Sequence, residues 1–96
     1  MPENQQYLTS FPKLLALFHQ KPWLIWYVKE YESLDLESVT ESIILNGNWE
    51  DVQLLIKEIG IKAIKIIFKQ LAEKKRTNLP KEFIQFFTHY FKVHAS

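Results

Sequence analysis

Apolar residues recur along most of this chain at the three- and four-residue spacing of an amphipathic helix, and no segment has the pattern of a β-hairpin. The clearest helix lies between Gly47 and Gly60, the two glycines of the sequence. Asn48 can cap its start, and Gly60 can end it in the left-handed conformation, as Gly47 can for the helix before it. We expect its core face to consist of Trp49, Val52, Leu55, Ile56 and Ile59.

Two more helices are expected in the front half of the chain. Pro12 lies in the first turn of one of them, and Pro22 ends it. The aromatic segment 23–28 that follows predicts either a short helix or an irregular buried strip. Ser33 or Asp35 then caps a helix that runs to the first glycine.

The back half predicts two further helices. One runs from about Ile61 to Lys75, and the other begins at Asn78 with Pro80. At 100° per residue, apolar side chains span about half the circumference of the last helix: Phe83, Ile84, Phe86, Phe87, Tyr90, Phe91 and Val93. Because the connections are short, neighbouring helices should run antiparallel. The sequence therefore predicts an all-α fold, a compact bundle of about five short helices.

Composition supports one folded domain. With 47% hydrophobic and 15% aromatic residues, the chain is expected to be globular over residues 1–96, with a flexible N-terminus over residues 1–10. Zero cysteines exclude disulfides, thiolate zinc sites and cysteine nucleophiles. The longest apolar run, residues 23–28, is too short to cross a membrane, and the start lacks a signal-peptide pattern. We expect a cytoplasmic protein.

Charge divides the chain into an acidic front half and a basic back half. Residues 1–56 carry three lysines against eight acids, a net −5, and residues 57–96 carry nine Lys/Arg against three acids, a net +6. The two halves can neutralise each other by packing together, or they can face two different partners. The sequence leaves both arrangements open.

Side-chain spacing gives no support for catalytic or metal chemistry. His89 and His94 lie about 140° apart around a helix, so they cannot share a metal on one face, and His19 is distant in sequence. The serines lie outside any G-x-S-x-G motif, and no glycine-rich phosphate loop occurs. Glu37 and Glu41, one turn apart, are typical of a solvated helix surface. We therefore expect no enzymatic activity, no metal and no cofactor.

A basic stripe is the first candidate for binding. It combines the lysines on one face of the helix from Ile61 with the basic residues that follow: Lys62, Lys65, Lys69, Lys74, Lys75, Arg76 and Lys81. Such a stripe can bind phosphates of nucleic acid, although the first turn of this helix lacks an Arg, Asn or Gln set to read base edges. An acidic protein partner or a solvated face explains the same residues.

The second candidate for binding is a group of three kinds of residue. It consists of apolar residues that point away from the core faces of the predicted helices, clustered aromatic residues, and acids in the first turn of the helix after Gly47. They indicate a protein partner, because aromatic residues are enriched at interface hot spots, although single exposed apolar residues are normal. The candidate partner-binding residues are Trp23, Trp26, Tyr27, Tyr31, Glu50, Asp51, Leu54 and Ile66.

Several motifs resemble those of a known family. The residues that carry the resemblance are Leu34-Asp35-Leu36, Ile43-Ile44-Leu45-Asn46-Gly47-Asn48-Trp49-Glu50-Asp51, Leu55-Ile56, Ile59-Gly60 and Phe86-Phe87. Together they resemble a family of small uncharacterised bacterial helical domains that are often encoded beside nucleotidyltransferase-type toxins of abortive-infection systems. The resemblance covers roughly residues 23–91. It implies an antitoxin-like protein or an accessory protein of bacterial defence, and it supplies no catalytic residue.

We therefore expect a protein-binding module, the antitoxin or accessory partner of a bacterial toxin–antitoxin or defence system. It would dock on a nucleotidyltransferase-like toxin and block it. The alternative is a small nucleic-acid-binding or autoregulatory protein that uses the basic back half. A third hypothesis is a self-associating module with the 83–91 face as its seam.

Overall fold

The computed structural model describes residues 7–25, 31, 34–74 and 77–95. Five α-helices account for most of this part of the chain: α1 Pro12–Gln20, α2 Leu36–Asn46, α3 Trp49–Ile59, α4 Ile61–Ala72 and α5 Lys81–His94. Two short 3₁₀ turns, Leu8–Ser10 and Pro22–Leu24, flank α1. No strand occurs among the described residues, where one isolated bridge joins Tyr7 and Asp35. The prediction of an all-α bundle with about five short helices is confirmed.

The helices pair in an interleaved order. Helix α1 packs on α3 and α2 packs on α4, while α3 also contacts its chain neighbours α2 and α4, and α5 packs on α4. Each helix buries one apolar face where these pairs meet, as an amphipathic helix must. The buried residues from the five helices include Leu14, Phe18, Val39, Ile43, Leu55, Ile64, Phe68, Leu71, Phe87 and Phe91.

Local side-chain chemistry sets where α2 and α3 begin. The Asp35 carboxylate accepts a hydrogen bond from the backbone N–H of Ser38 at 2.8 Å, so Asp35 caps α2, and Ser33 lies outside the described residues. The Asn48 side chain accepts from the Asp51 N–H at 2.9 Å, and the Asp51 carboxylate accepts from the Asn48 N–H at 3.0 Å. This reciprocal capping box satisfies N–H groups that a helix start leaves without partners. The predicted cap at Asn48 is confirmed.

The two glycines end helices for different reasons. Gly60 has φ 104° and is the single residue between α3 and α4, so the predicted positive φ is confirmed, while its ψ of 137° lies outside the left-handed helical conformation. Gly47 has φ −89°, so the same prediction for Gly47 is wrong. A Cβ at Gly47 would lie 2.8 Å from the Ile43 carbonyl oxygen and 3.0 Å from the Asp51 side chain. Close packing, and not a positive φ, requires glycine at that position.

The start of the described chain is held against the core. Leu8 is fully buried, and its N–H donates to the Leu34 carbonyl oxygen at 2.9 Å. The flexible N-terminus expected over residues 1–10 therefore does not include residues 7–10, and residues 1–6 lie outside the described part of the chain.

The last connection also differs from the prediction. Helix α4 ends at Ala72, short of Lys75, and α5 begins directly after Pro80, which occupies its N-cap position. Asn78 is not the cap residue of α5. None of the helices in the described part of the chain is long and apolar enough to span a membrane.

Candidate functional site

Helix α5 carries more apolar surface than the rest of the fold covers. Phe87 and Phe91 are buried against Phe68 of α4, with ring centroids 5.7 and 5.5 Å from it. On the same helix Phe83, Phe86 and Val93 remain 36%, 53% and 56% exposed. The closest helix neighbour of α5 is α4, and it covers only one side of α5. Only the inner part of the wide apolar face is therefore in the core.

Trp49 extends this exposed surface from α3. Its ring meets Phe86 and Tyr90 edge-to-face, with centroids 6.0 and 5.4 Å apart, a favourable geometry for aromatic pairs. Trp49 is nevertheless 42% exposed, so the prediction that it faces the core is wrong. It is the first residue of α3, and from there its ring reaches sideways to α5. We call the four exposed residues Trp49, Phe83, Phe86 and Val93 the apolar surface.

A cleft of about 380 Å³ is lined by three residues of the apolar surface, Trp49, Phe83 and Phe86, where the α2–α3 connection faces the start of α5. One wall is formed by Gly47, Asn48 and Trp49, and the opposite wall includes Glu82 and Phe83. Glu82 is exposed and is the one charged side chain among the described residues that line this cleft. Exposed Glu50 follows Trp49 directly, so the border of the site is acidic.

Sequence reasoning placed the residues of the apolar surface in the core or in a self-association seam. The width of the apolar face of α5 is the signal that could have shown which of its apolar residues are exposed. A core-facing stripe of a surface helix needs about 100° or more of the circumference, and the apolar residues of α5 span about 180°. The excess predicts exposed apolar side chains on one edge of the helix, where Phe86 and Val93 lie.

The residues predicted to bind a protein partner lie in different environments. The exposed members are Trp23, Glu50 and Ile66. The half-buried members, which pack against the core, are Tyr31 and Leu54. Leu54 is therefore not free, contrary to the expectation that it points away from the core. Trp26 and Tyr27 lie outside the described residues.

Asp51 is also not free, and that expectation is wrong for a clear physical reason. It is only 5% exposed, and its two carboxylate oxygens accept hydrogen bonds from the Lys21 ammonium at 2.9 and 3.1 Å. The same carboxylate accepts the Asn48 N–H that completes the capping box. Asp51 therefore joins the end of α1 to the start of α3 and holds the helix turn that presents Trp49.

The basic stripe is exposed along α4. Lys62, Lys65 and Lys69 are exposed and make no ion pair within the described part of the chain. Lys81 is exposed at the start of α5, and Lys75 and Arg76 lie outside the described residues.

Lys74 joins the two halves of the chain through an ion pair with Glu37 of α2. The hydrogen bond to Glu37 raises the pKa of the Lys74 ammonium above its ordinary value of 10.5, and the charges of Glu37, Glu41 and Asp35 add to this effect. The acidic and basic halves therefore meet between the start of α2 and the residues just after α4, while the lysines of α4 itself face solvent.

Two of the three histidines pack on aromatic rings. His94 lies 4.4 Å from Tyr90, and His19 lies 5.1 Å from Tyr31, measured between ring centroids. No three His, Asp or Glu side chains among the described residues are grouped so that they could hold a metal ion. Comparison of the chain with known protein families, with characterised proteins and with solved structures gives no match.

Proposed function

We propose that this chain is a protein-binding module that docks through the apolar surface. The observation that carries the proposal is the exposure of Trp49, Phe83 and Phe86 around one cleft, with exposed Val93 two turns after Phe86 on α5. Exposed apolar patches of this kind mark interaction sites, and aromatic side chains dominate interface hot spots. Binding, and not catalysis, is the role that we assign to the chain.

The size of the apolar surface indicates what the partner must add. Burial of the exposed parts of three aromatic rings removes on the order of 250 Å² from water, which corresponds to about 6 kcal/mol. Association costs about 4–15 kcal/mol in lost translational and rotational freedom. The apolar surface can therefore anchor a partner, but polar contacts around it must supply the remainder of a stable complex.

The acidic border gives the chemistry of that partner. Glu82 lines the cleft beside Trp49 and Phe83, and Glu50 is exposed next to Trp49. We propose a partner with an apolar surface bordered by basic residues. Complementary charges speed association and fix orientation, so binding should weaken as salt screens them.

The narrower form of the proposal is an antitoxin or accessory protein of a bacterial toxin–antitoxin or defence system. It would act in the cytoplasm by docking on a nucleotidyltransferase-like toxin and blocking its nucleotide or RNA site. The resemblance of the motifs in residues 34–60 supports this partner, and the acidic front half of the chain suits a basic one. The absence of cysteine fits a reducing compartment.

Co-expression with a nucleotidyltransferase-type toxin encoded beside this chain, followed by affinity purification at low salt, tests the proposal. The wild type should retain the toxin, and Phe86→Glu should lose it because a charge would be buried at the centre of the interface. Gln85→Glu is the matched control, since it adds the same charge to an exposed position on the same helix and should retain the toxin.

Two outcomes would contradict the proposal. Equal retention of the toxin by Phe86→Glu and wild type would show that the apolar surface is not the docking site. A concentration-dependent dimer in sedimentation that Phe86→Glu abolishes would instead assign this surface to a second copy of the chain. Unchanged urea unfolding of Phe86→Glu confirms that lost binding is not lost folding.

The exposed lysines of α4 favour a second candidate, a nucleic-acid-binding or autoregulatory protein. Lys62, Lys65 and Lys69 fall within about 60° of arc on α4, where they can contact successive phosphates. Gel shifts across a salt series test this function. Each lysine replaced by alanine should lower the slope of log affinity against log salt by about 0.9 for duplex DNA, and no binding at about 50 mM salt rules it out.

A further inference from the structure

A second concave site lies between α4 and α5. Its volume is about 450 Å³, and its lining comes from both helices. Small-molecule sites have volumes of about 300–1,000 Å³. Thr88 of this α4–α5 groove lies about 160° around α5 from Phe86, so the groove and the apolar surface are on opposite sides of the helix.

The floor of the α4–α5 groove is apolar. Phe68 and Phe91 are buried beneath it with ring centroids 5.5 Å apart, and half-buried Ala72 adds a methyl group. The two rings are almost inaccessible to solvent, so neither offers an open face on which a planar base could stack. The floor therefore suits an aliphatic chain better than a planar base.

The edges of the groove are cationic. Lys65 and Lys69 stand one turn apart on α4, and Lys92 stands on the opposite edge on α5. All three are exposed, and none is in an ion pair within the residues that the structure describes. Glu73 is the one acid of the lining, so three lysines against one glutamate leave a formal charge of +2.

The positive charge of the groove favours the binding of an anion. Like charges one turn apart on a helix repel each other, and among the described residues neither Lys65 nor Lys69 is in an ion pair, although Glu73 lines the same groove one turn after Lys69. A carboxylate placed among the ammonium groups would relieve the repulsion and accept charge-assisted hydrogen bonds. Its apolar part would then cover the floor of the groove.

We propose that the α4–α5 groove binds a medium-chain carboxylate, with the carboxylate held by Lys65, Lys69 and Lys92 and the chain lying over the apolar floor. At about 30 Å³ per water-sized group, the groove holds roughly 15 non-hydrogen atoms. That is enough for one chain of about ten carbons. The α5 edge spans only residues 88–92, about 6 Å, whereas a docked helix needs anchors over two or more turns.

Titration of ¹⁵N-labelled protein with decanoate, followed by amide chemical shifts, tests the proposal. Decanoate should shift the amides of Ala72, Thr88 and Lys92 in a saturable manner, and decyltrimethylammonium, with the same chain and the opposite charge, should not. Lys69→Glu should weaken decanoate binding by about tenfold or more. Lys62→Glu, the same change on the same helix outside the groove, should leave it unchanged.

A second variant probes the floor. Ala72→Trp should fill the groove and block decanoate, and circular dichroism reports whether the helices are retained. Equal binding to Lys69→Glu and wild type, equal binding of the cationic amphiphile, or shifts centred on Trp49 and Phe86 would overturn the proposal. The proposed protein partner is tested with Phe86→Glu, which should leave decanoate binding intact, so the two proposals can fail separately.

Discussion

Asp51→Ala should be one of the most destabilising single substitutions outside the apolar core, because one carboxylate caps the start of α3 and also pairs with Lys21 at the end of α1. Its oxygens accept the Lys21 ammonium at 2.9 and 3.1 Å and the Asn48 N–H at 3.0 Å. The residue is only 5% exposed, so water does not readily replace these bonds after the carboxylate is removed.

The magnitude follows from the two interactions. Loss of the capping-box bond costs about 1 kcal/mol. A hydrogen bond to a charged group contributes about 1.5–3 kcal/mol, but the Lys21 side chain is 27% exposed and regains water, so the lower end applies. The free energy of unfolding should therefore fall by about 2–3 kcal/mol, which lowers the melting temperature by about 10–20 °C for a domain of this size.

Urea unfolding followed by far-UV circular dichroism measures the effect, and the midpoint should fall while the slope stays unchanged. Glu50→Ala, one residue earlier and exposed, is the matched control and should cost about 0.5 kcal/mol or less. Lys21→Met and Asp51→Ala should cost less together than the sum of their separate costs, because they remove the same ion pair. Asp51→Ala no more costly than Glu50→Ala, or strictly additive costs, would refute the reasoning.

Four further substitutions test other features of the fold. The Thr40 hydroxyl is buried and has no hydrogen-bond partner among the residues that the structure describes, so Thr40→Val should raise the free energy of unfolding by about 1 kcal/mol. An unchanged urea midpoint would count against this prediction. Gly60→Ala should lower the free energy of unfolding by about 1–2 kcal/mol, because φ is 104° at that residue. Gly47→Ala should also lower the free energy of unfolding, because the added Cβ would lie 2.8 Å from the Ile43 carbonyl oxygen. Either alanine variant as stable as wild type in the same titration would contradict the explanation given for that glycine. The pKa of Lys74 is raised above 10.5 by Glu37, so the stability from this pair is complete below that pH and is lost as pH rises through the raised pKa. The melting temperature of Lys74→Met should therefore fall less steeply across the alkaline range than that of wild type, and equal slopes would argue against the pair.

Sequence predicted the helices well because the forces that start and end them act over a few residues. The side chain of Asn48 and the φ of Gly60 concern only their immediate neighbours, so their roles could be read locally. Asp51 was placed in the first turn of α3 for the same reason. Its partner Lys21 is 30 residues away in the chain, and no local pattern connects the two.

The candidate site was harder to predict. Periodicity gives the direction in which a side chain points, but it does not show how much of that side chain the neighbouring helices cover. Trp49 lies on the apolar face of α3 and its ring contacts α5. Helix α5 alone leaves 42% of Trp49 exposed. Phe86 is exposed for the same reason. Gly47 shows a related limit, since a close contact with Ile43 and a positive φ both favour glycine and cannot be told apart in a sequence.

The interleaved pairing of the helices has a consequence for synthesis on the ribosome. When the nascent chain has emerged as far as Gly47, it contains α1 and α2, but their packing partners α3 and α4 have not yet been made. Helices of 9 and 11 residues are marginal on their own in water, so these two should gain stable structure only when the later pair arrives. The helices should therefore fold together once α3 and α4 have emerged from the ribosome, and a product that stops within α4 should remain open to proteases.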